Sequence, residues 1–447
     1  MAADAARSRG ADMERQPTRR AFIAGAGGAG TALVLGSAAS GALASPLRRR
    51  RRVATQMAFT TWVSAAEAAA YKSIIAAFEA KNSGVKIKLE QVPYGQMNQG
   101  IDARLQAGKA PDLFRTTYND VGFYGKQGGL SDLSSFFPKS YAGRFTPSLW
   151  AAISSDGKPF GVPQHTDVSA IVYNKALFAK AGIKKVPTSL ASAWTWDEFL
   201  GVARTIKTKT GAYGFAMNWQ LFGCYRWLTF LYQAGGNMLD AQGKPALSGP
   251  AGEKTLAFFK KWSDEKLYPP NCQPKGPAYP DEIFPAGKIG MIFAGDFLLP
   301  ELADLVKKFK WGATYMPRDK GQATDLGGTA VVASRDAKNP ELAAKFLQFL
   351  VTDANQKLFC EKTGTLPTLK SLSNAKLAFS TRPDLMPVFV KQATTLPTRL
   401  VQEVSIPGFT AVNNAMVSQL EAFLVSGQSA TDTLKKMDGA VAKALKA

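Results

Sequence analysis

The chain has very few of the residues from which metal sites and disulfide frameworks are built. Its 447 residues include one histidine, His165, and three cysteines, Cys224, Cys272 and Cys360. A single histidine excludes a metal site made of several histidines, and three cysteines do not form a disulfide framework. A Cys224–Cys272 bridge and inert buried thiols are both compatible with the sequence. We expect no metal and no cofactor.

The chain also lacks a strongly apolar run of the roughly 20 residues that a membrane-spanning helix needs. Instead, Thr18–Ile23 has the twin-arginine pattern, and a weakly apolar run rich in alanine and glycine follows it. Ala42–Ala44 fits a small-x-small cleavage site, so residues 1–44 are predicted to be an export signal. An uncleaved tail is the alternative. Because no cysteine lies near the cut, we expect a protein outside the cytoplasm without a lipid anchor.

Acidic residues are in the minority, with 34 Asp and Glu against 55 Lys and Arg. Part of the excess is the basic run Arg48–Arg52, and such runs stay solvated, so residues 45–56 are predicted to be a disordered tail. Attraction of this run to an anionic envelope surface is the functional alternative. Beyond residue 52, 45 basic residues still face 31 acidic ones, which favours anionic surfaces or ligands. The lysines are scattered and no reader motif is present, so we do not expect nucleic-acid binding.

Strand and helix signals alternate along the rest of the chain. Ala58–Trp62 is typical of a strand, Ser64 and Glu67 have the spacing of a capping box, and Val85–Leu89 alternates as the next strand. This order predicts a βαβ unit with a parallel strand pair and a right-handed crossover. Later helix starts are predicted at Thr195, at Asn339 and at Ser429.

No linker cleanly divides the chain, which favours two α/β lobes with interleaved segments. Between them we expect the segment Gly161–Ile183 to hold a turn and a polar loop at Gln164–Asp167. A strand, Ala170–Tyr173, should follow, and then a helix capped by Asn174.

Seven segments resemble, in the same order, the extracellular solute-binding proteins of family 1. These are the sugar-capturing subunits of ABC importers, and they include maltose-binding protein. The segments are Ala110–Phe114, Gly161–Ile183, Thr195–Phe199, Phe284–Met291, Gly327–Gly328 with Asn339–Leu350, Gly364–Thr368, and the C-terminal helix. The usual lipobox cysteine of that family is absent.

The resemblance implies a two-lobed α/β fold, with a mainly parallel sheet flanked by helices in each lobe and a ligand cleft between the lobes. We assign residues 57–166 and 328–365 to the first lobe, and residues 167–327 and 366–447 to the second. It also implies a monomer that closes on a carbohydrate and delivers it to the permease subunits, without catalysis.

Sugar binding needs flat aromatic faces and a few fixed polar groups. Candidates are residues at strand C-terminal ends, where ligands of open α/β sheets bind. We select Trp62, Asn119, Asp120, His165, Asp167, Trp219, Asp296, Gly327 and Gly328, with Arg399 as an extra contact for an acidic ligand. Each has a structural alternative: core aromatics for the tryptophans, helix caps for Asp120 and Asp296, a hydrogen-bonded structural role for His165, and a turn for the glycines.

Three other functions remain as alternatives. The basic charge would suit glycerol phosphate or another anionic solute, or an envelope adhesion module. A secreted carbohydrate-active enzyme would need two carboxylates about 5–10 Å apart. Asp120, Asp167 and Asp296 are available for that, but no spacing identifies a pair, and no G-x-S-x-G elbow is present. We favour the saccharide importer component.

Overall fold

The computed structural model describes residues 55–155, 157–219 and 221–446. The predicted export signal and nearly all of the predicted tail lie outside these residues. The first strand begins at Thr55, whose backbone N–H donates to Gly84 O at 2.7 Å, so the strand includes the last two residues assigned to the tail.

Strands and helices alternate, as the sequence predicts. The strands are β1 Thr55–Thr61, β2 Val85–Gln91, β3 Leu113–Thr117, β4 Ser154–Ser155, β5 Lys158–Pro159, β6 Gly161–Asp167, β7 Ser169–Asn174, β8 Tyr213–Ala216, β9 Ile289–Gly295, β10 Trp311–Thr314 and β11 Gly327–Ala333. The helices are α1 Ala65–Lys81, α2 Tyr94–Gln106, α3 Tyr118–Lys126, α4 Pro147–Ala151, α5 Lys175–Lys180, α6 Trp196–Thr210, α7 Trp227–Gln233, α8 Pro250–Asp264, α9 Pro280–Ile283, α10 Leu299–Leu305, α11 Pro340–Leu350, α12 Asp353–Thr363, α13 Met386–Ala393, α14 Thr398–Val404, α15 Phe409–Leu424 and α16 Ala430–Lys446.

Two larger sheets organise the molecule. The first sheet has the order β2-β1-β3-β11-β6, and the second has the order β10-β7-β9-β8. The chain passes from the first sheet to the second at Val168, between β6 and β7, and returns between β10 and β11. A third segment lies beside the first crossing, because Leu366 and Thr166 exchange backbone hydrogen bonds of 2.8 and 2.9 Å. These crossings position the two lobes.

The pairing within the sheets is mixed, which corrects the expectation of mainly parallel sheets. β1 pairs parallel with β2 and β3, whereas β11 runs antiparallel to both β3 and β6. In the second sheet β8 and β9 are parallel, and β7 is antiparallel to β9 and β10. The reason is the direction of the crossings. A strand that starts at a crossing, such as β7 or β11, must run against neighbours that end there.

The predicted polar loop at Gln164–Asp167 is wrong. Gly161–Asp167 forms β6, and all seven of its residues are buried. Its polar side chains have protein partners, as when Thr166 Oγ1 donates to Gly327 O at 3.2 Å. Polar composition therefore indicated a solvated loop where the fold provides internal hydrogen bonds.

Local helix signals are confirmed. Ser64 with Glu67, and Thr195 with Glu198, form reciprocal capping boxes, and Asn339 caps α11 before Pro340. Asn174 caps α5 by accepting from the N–H groups of Ala176 and Leu177. These contacts span only three or four residues, so the sequence alone contains the information.

The sheets carry separate apolar layers. Phe59, Tyr71 and Phe346 belong to the layer on one face of the first sheet, and Ile292 and Phe389 to the layer on the second. The C-terminal helices contact both lobes: Thr410 on α15 donates to Asp120 on α3, and Asp438 on α16 accepts from Leu247 N.

The three cysteines are buried and free, so the Cys224–Cys272 bridge does not form. Burial raises the pKa of each thiol to about 12. Among the described residues, no helix combines the length and apolar character of a membrane span.

Two glycines allow β11 to approach β6 closely. Gly328 has φ +99°, and a Cβ on it would lie 2.4 Å from His165 O. A Cβ on Gly327 would lie 1.8 Å from Asp167 Oδ1. These contacts give both residues a structural role at the start of β11.

We expect Gly328→Ala to lower the free energy of unfolding by about 2 kcal/mol or more, because it combines a backbone clash with an unfavourable φ. Gly201→Ala is the matched control, since Gly201 lies in α6 with open space around its Cβ position. We expect it to stabilise the protein by about 0.5–1 kcal/mol. Urea unfolding of both variants measures the difference, and equal effects would contradict the close-approach argument.

Candidate functional site

Aromatic residues line the edge where the strands of the first sheet end. Trp62 follows β1, and Tyr94 begins α2 after β2. Their ring centroids are 5.0 Å apart at an interplanar angle of 52°. Tyr94 is 40% exposed, yet burial raises the pKa of its hydroxyl, Asp120 adds to this, and Arg226 opposes it. Arg226 pairs with Asp325 at the crossing between the sheets, so its influence indicates that Tyr94 lies on the side of the first sheet that faces this crossing.

A buried arginine fixes this edge. Arg115, in the middle of β3, donates from Nη1 to Trp62 O at 2.9 Å and from Nη2 to Glu67 Oε1 at 2.7 Å. Its Nε donates to Thr329 Oγ1 at 3.0 Å. The guanidinium carbon lies 4.5 Å from the centre of the Trp62 ring, in cation–π geometry.

His165 is a partner of the same arginine. Its Nε2 lies 2.9 Å from Arg115 Nη2, and because a guanidinium only donates, Nε2 is the acceptor nitrogen of a neutral imidazole. Burial and the charge of Arg115 lower the pKa of His165 to about 3. The imidazole stacks on Phe359 with centroids 5.7 Å apart. His165 therefore has the structural role that was its alternative.

Glu67 balances the arginine charge. Burial by itself would raise the pKa of Glu67, but the charge and hydrogen bond of Arg115 outweigh it, so the pKa lies below its usual value. The other oxygen, Oε2, accepts from Ser64 N at 2.8 Å. One carboxylate thus caps α1 and neutralises Arg115.

Asn119 and Asp120 follow β3, in the first turn of α3. Asp120 accepts from Thr117 Oγ1, Asn98 Nδ2 and Thr410 Oγ1 at 2.9 to 3.2 Å, and burial raises its pKa. The side-chain N–H₂ of Asn119 is buried without a hydrogen-bond partner among the described residues. The carboxylate of Asp120 is therefore hydrogen-bonded to protein donors. The side-chain N–H₂ of Asn119 is available to donate to a ligand.

A second polar cluster lies where the chain crosses between the sheets. Asp325 accepts from Ser169 N at 2.9 Å and from Ser169 Oγ at 3.0 Å, and its Oδ2 lies 2.8 Å from Arg226 Nε. Tyr225 OH donates to Leu326 O at 2.6 Å. Asp325 therefore joins two crossing segments to the helical turn that carries Arg226.

Asp167 and Asp296 lie beside this cluster and are both buried. Burial and the charge of Asp325 raise the pKa of Asp167 to about 7. Burial, and then the charge of Asp167, raise the pKa of Asp296 well above its usual value. Asp296 Oδ1 accepts from Phe297 N at 3.1 Å, while Oδ2 has no partner among the described residues. At neutral pH Asp296 therefore favours its protonated form, whereas Asp167 titrates.

A small cavity borders the crossing. It encloses about 10 Å³ and is lined by Ser169, Arg226, Asp325 and Thr229 together with apolar side chains. That volume suits roughly one water molecule. It is too small for a sugar, so the candidate binding site is instead the aromatic edge formed by Trp62 and Tyr94.

Two selected residues lie elsewhere. Trp219 is a core aromatic, in edge contact with Phe259 at 5.4 Å. Arg399 donates to Glu403, Leu239 O and Asp240 O, so it ties α14 to a loop. Trp219 therefore has the core position that was its structural alternative, because α8 covers the segment after β8.

Four residues of this region were not among the candidates from the sequence: Tyr94, Arg115, Arg226 and Asp325. An arginine inside the apolar strand Leu113–Thr117 was a usable signal, because a buried cation needs a partner. Tyr94 follows an alternating strand and could have been selected with Trp62. Asp325 and Arg226 are paired across about a hundred residues, and no local pattern indicates that pair.

We expect Arg115→Met to lower the free energy of unfolding by about 3–5 kcal/mol, because Glu67 would remain buried and uncompensated. Arg104→Met is the control, since its ion pair with Glu90 is partly solvated, and it should cost about 1 kcal/mol or less. Urea unfolding at pH 7 compares them. Similar losses of unfolding free energy in the two variants would show that the Arg115–Glu67 pair contributes no more than an exposed ion pair.

Stability should also depend on the proton of Asp167. A folded pKa near 7 lies above the unfolded value of about 3.9, so its contribution is complete at low pH and is lost as pH rises through about 7. We expect Asp167→Asn to flatten the decline in unfolding free energy between about pH 4 and 7 by up to about 1.4 kcal/mol per pH unit. Asp304→Asn, on the exposed side of α10, should leave the slope unchanged. A wild-type slope in Asp167→Asn would contradict this assignment.

Known proteins resemble this chain in sequence and in fold. It is 27% identical over 383 residues to the diacetylchitobiose binding protein DasA of Streptomyces coelicolor, covering 82% of this chain and 84% of the relative. It is 26% identical over 346 residues to the maltodextrin-binding protein MdxE of Bacillus subtilis, covering 75% and 78%. The solved GacH receptor of Streptomyces glaucescens superposes with a TM-score of 0.75 at 23% identity, covering 88% of this chain and 99% of that one.

The fold likeness confirms the two-lobed α/β architecture. The model of the bacterial extracellular solute-binding protein family matches residues 62–357, which is most of the described chain. Members of this family act outside the cytoplasm and bind solutes. The chain belongs to the bacterial extracellular solute-binding protein family.

Proposed function

We propose that the chain captures a sugar or oligosaccharide between its lobes and delivers it to the transmembrane subunits of an ABC importer. The observation that carries this proposal is the Trp62–Tyr94 pair at the strand ends of the first sheet, beside polar groups held by buried networks. Sugar rings present C–H faces that pack on aromatic surfaces, and their hydroxyls need fixed hydrogen-bonding groups.

Rigid support makes the aromatic pair suited to this task. Arg115 holds both the Trp62 carbonyl and the Trp62 ring, so the indole has little freedom left to lose on binding. Tyr94 supplies the exposed face. Its position near Arg226 indicates that a ligand stacked here would touch the second lobe as well.

Unused polar groups supply the hydroxyl contacts. Asn119 Nδ2 is a donor, and Asp296 Oδ2 is an acceptor or, when protonated, a donor. They lie at the ends of strands in different sheets. A ligand that bridges them would favour the closed arrangement, which is the population shift that a binding protein needs.

An anionic ligand fits this site less well. Both arginines nearest to Tyr94, Arg115 and Arg226, are already paired with Glu67 and Asp325. A phosphate bound there would also lie near the buried carboxylates of Glu67 and Asp325, whose repulsion would cost binding free energy. A neutral saccharide avoids that cost.

The same groups support a binding role without catalysis. Asp120 accepts from three protein donors, and Asp167 and Asp296 are buried beside the Asp325 cluster with raised pKa values. Glycoside hydrolysis needs one carboxylic acid and one ionised carboxylate flanking the bond. We further propose export by the twin-arginine signal, no lipid anchor and a monomeric state, with the lobe boundaries assigned above.

The names of similar proteins suggest which sugars to use in a binding test. The chain resembles proteins named for diacetylchitobiose, maltodextrin, galactooligosaccharide and arabinooligosaccharide. Thermal-shift measurements with these sugars and glycerol 3-phosphate identify the ligand, and product analysis checks that it is not consumed. Stabilisation by glycerol 3-phosphate alone, or turnover of a sugar, would contradict the proposal.

With a stabilising sugar in hand, we expect Tyr94→Ala to weaken binding about tenfold or more in isothermal titration calorimetry, because a stacking face is lost. Its melting temperature should change little, since Tyr94 is partly exposed. Val390→Ala is the control: Val390 is 42% exposed on α13, so binding should be unchanged. Equal affinity of Tyr94→Ala and wild type would exclude the aromatic platform.

A further inference from the structure

One end of the second sheet carries a concentration of exposed lysines. It is the end opposite the crossings, where β8, β9 and β10 begin and β7 ends. The lysines, called here the lysine surface, are Lys175, Lys209, Lys266, Lys288, Lys307, Lys308 and Lys310.

The strand pairing places these residues together. Lys310 directly precedes Trp311, which pairs with Asn174, and Lys175 N donates to Lys310 O at 2.9 Å. Lys288 O accepts from Tyr213 N at 3.0 Å, at the start of β8. Adjacent strands are about 4.8 Å apart, so their ends form one broad face.

Two further lysines extend the face on the β8 side. Lys209 lies in the last turn of α6, which leads into β8. Lys266 directly precedes Leu267, whose carbonyl accepts from Gly214 N at 2.8 Å.

The charges of the lysine surface are not neutralised by the described protein. The neighbouring carboxylates of Glu265 and Asp384 pair with Arg204 and Arg382 instead. Across the described ion pairs, none involves a member of the lysine surface. The exposed acids nearest in sequence are Asp264, which pairs with Lys260, and Asp304, and they leave a positive excess.

The corresponding end of the first sheet is different. There Lys86 pairs with Glu79, Lys158 with Asp132, and Arg335 with Asp336. Several basic residues at that end therefore have acidic partners, whereas the members of the lysine surface have none among the described ion pairs.

An exposed apolar side chain lies close in sequence to the lysine surface. Leu305, the last residue of α10, is 48% exposed and lies two residues before Lys307. A soluble polyanion has no apolar region that an exposed leucine could contact. A bilayer has both anionic headgroups and an apolar layer beneath them. This combination favours a membrane as the partner.

We propose that the lysine surface docks the protein onto the anionic outer face of the cell membrane. Each lysine near such a surface contributes on the order of 1 kcal/mol, and the attraction is screened by salt. The surface lies at the far end of the sheet from Asp296 and Ser169, so docking leaves the space between the lobes uncovered. The proposal does not depend on the identity of the ligand.

Vesicle sedimentation of the full chain tests it. We expect binding to phosphatidylcholine vesicles containing phosphatidylglycerol, little binding to pure phosphatidylcholine, and release at high salt. The triple variant Lys288→Gln/Lys308→Gln/Lys310→Gln should lower the partition coefficient about tenfold or more. Leu305→Ser should lower it about threefold, because a partly inserted apolar group is lost.

A matched variant separates this surface from the overall charge. Lys435→Gln/Lys436→Gln/Lys443→Gln removes the same charge from exposed positions on α16 and should change the partition coefficient less than about threefold. Equal losses in both triple variants would overturn the proposal, since the general basic charge would then be responsible. It would equally be overturned by no binding to anionic vesicles, or by lysine-dependent binding of soluble polyphosphate without vesicle binding.

Discussion

The buried guanidinium of Arg115 is the constraint on which the first lobe depends. It contacts the end of β1 through Trp62, α1 through Glu67, β6 through His165 and β11 through Thr329. An ion buried at such a position must be paired, and here one cation fixes four elements at once. The aromatic platform is therefore positioned by an electrostatic requirement as well as by apolar packing.

Charge is divided between the inside and the outside of the molecule. Around the space between the lobes, arginines are balanced by carboxylates, as in the Arg226–Asp325 pair. Exposed lysines without ion-pair partners lie at the far end of the second sheet, at positions such as Lys288 and Lys310. This division lets a neutral ligand bind in a balanced site while the exterior responds to anionic surroundings.

The sequence predicted those parts of the structure that depend on neighbours along the chain. The capping boxes at Ser64 and Thr195 need only three residues, and they are confirmed. The loop expected at Gln164–Asp167 is a buried strand, because its partners lie on β11, far along the chain. For the same reason Trp62 was selected as a site residue and Arg115 was not. A tryptophan after a strand is visible locally, whereas the partners of a buried arginine are not.

The free thiols have a consequence for biogenesis. Cys224, Cys272 and Cys360 sit in the apolar interior and stay protonated until strongly alkaline conditions, so they are poor nucleophiles. The native state then needs neither an oxidant nor a disulfide isomerase. Maturation can be completed in a reducing compartment, and the finished protein is indifferent to the redox potential of the place where it works.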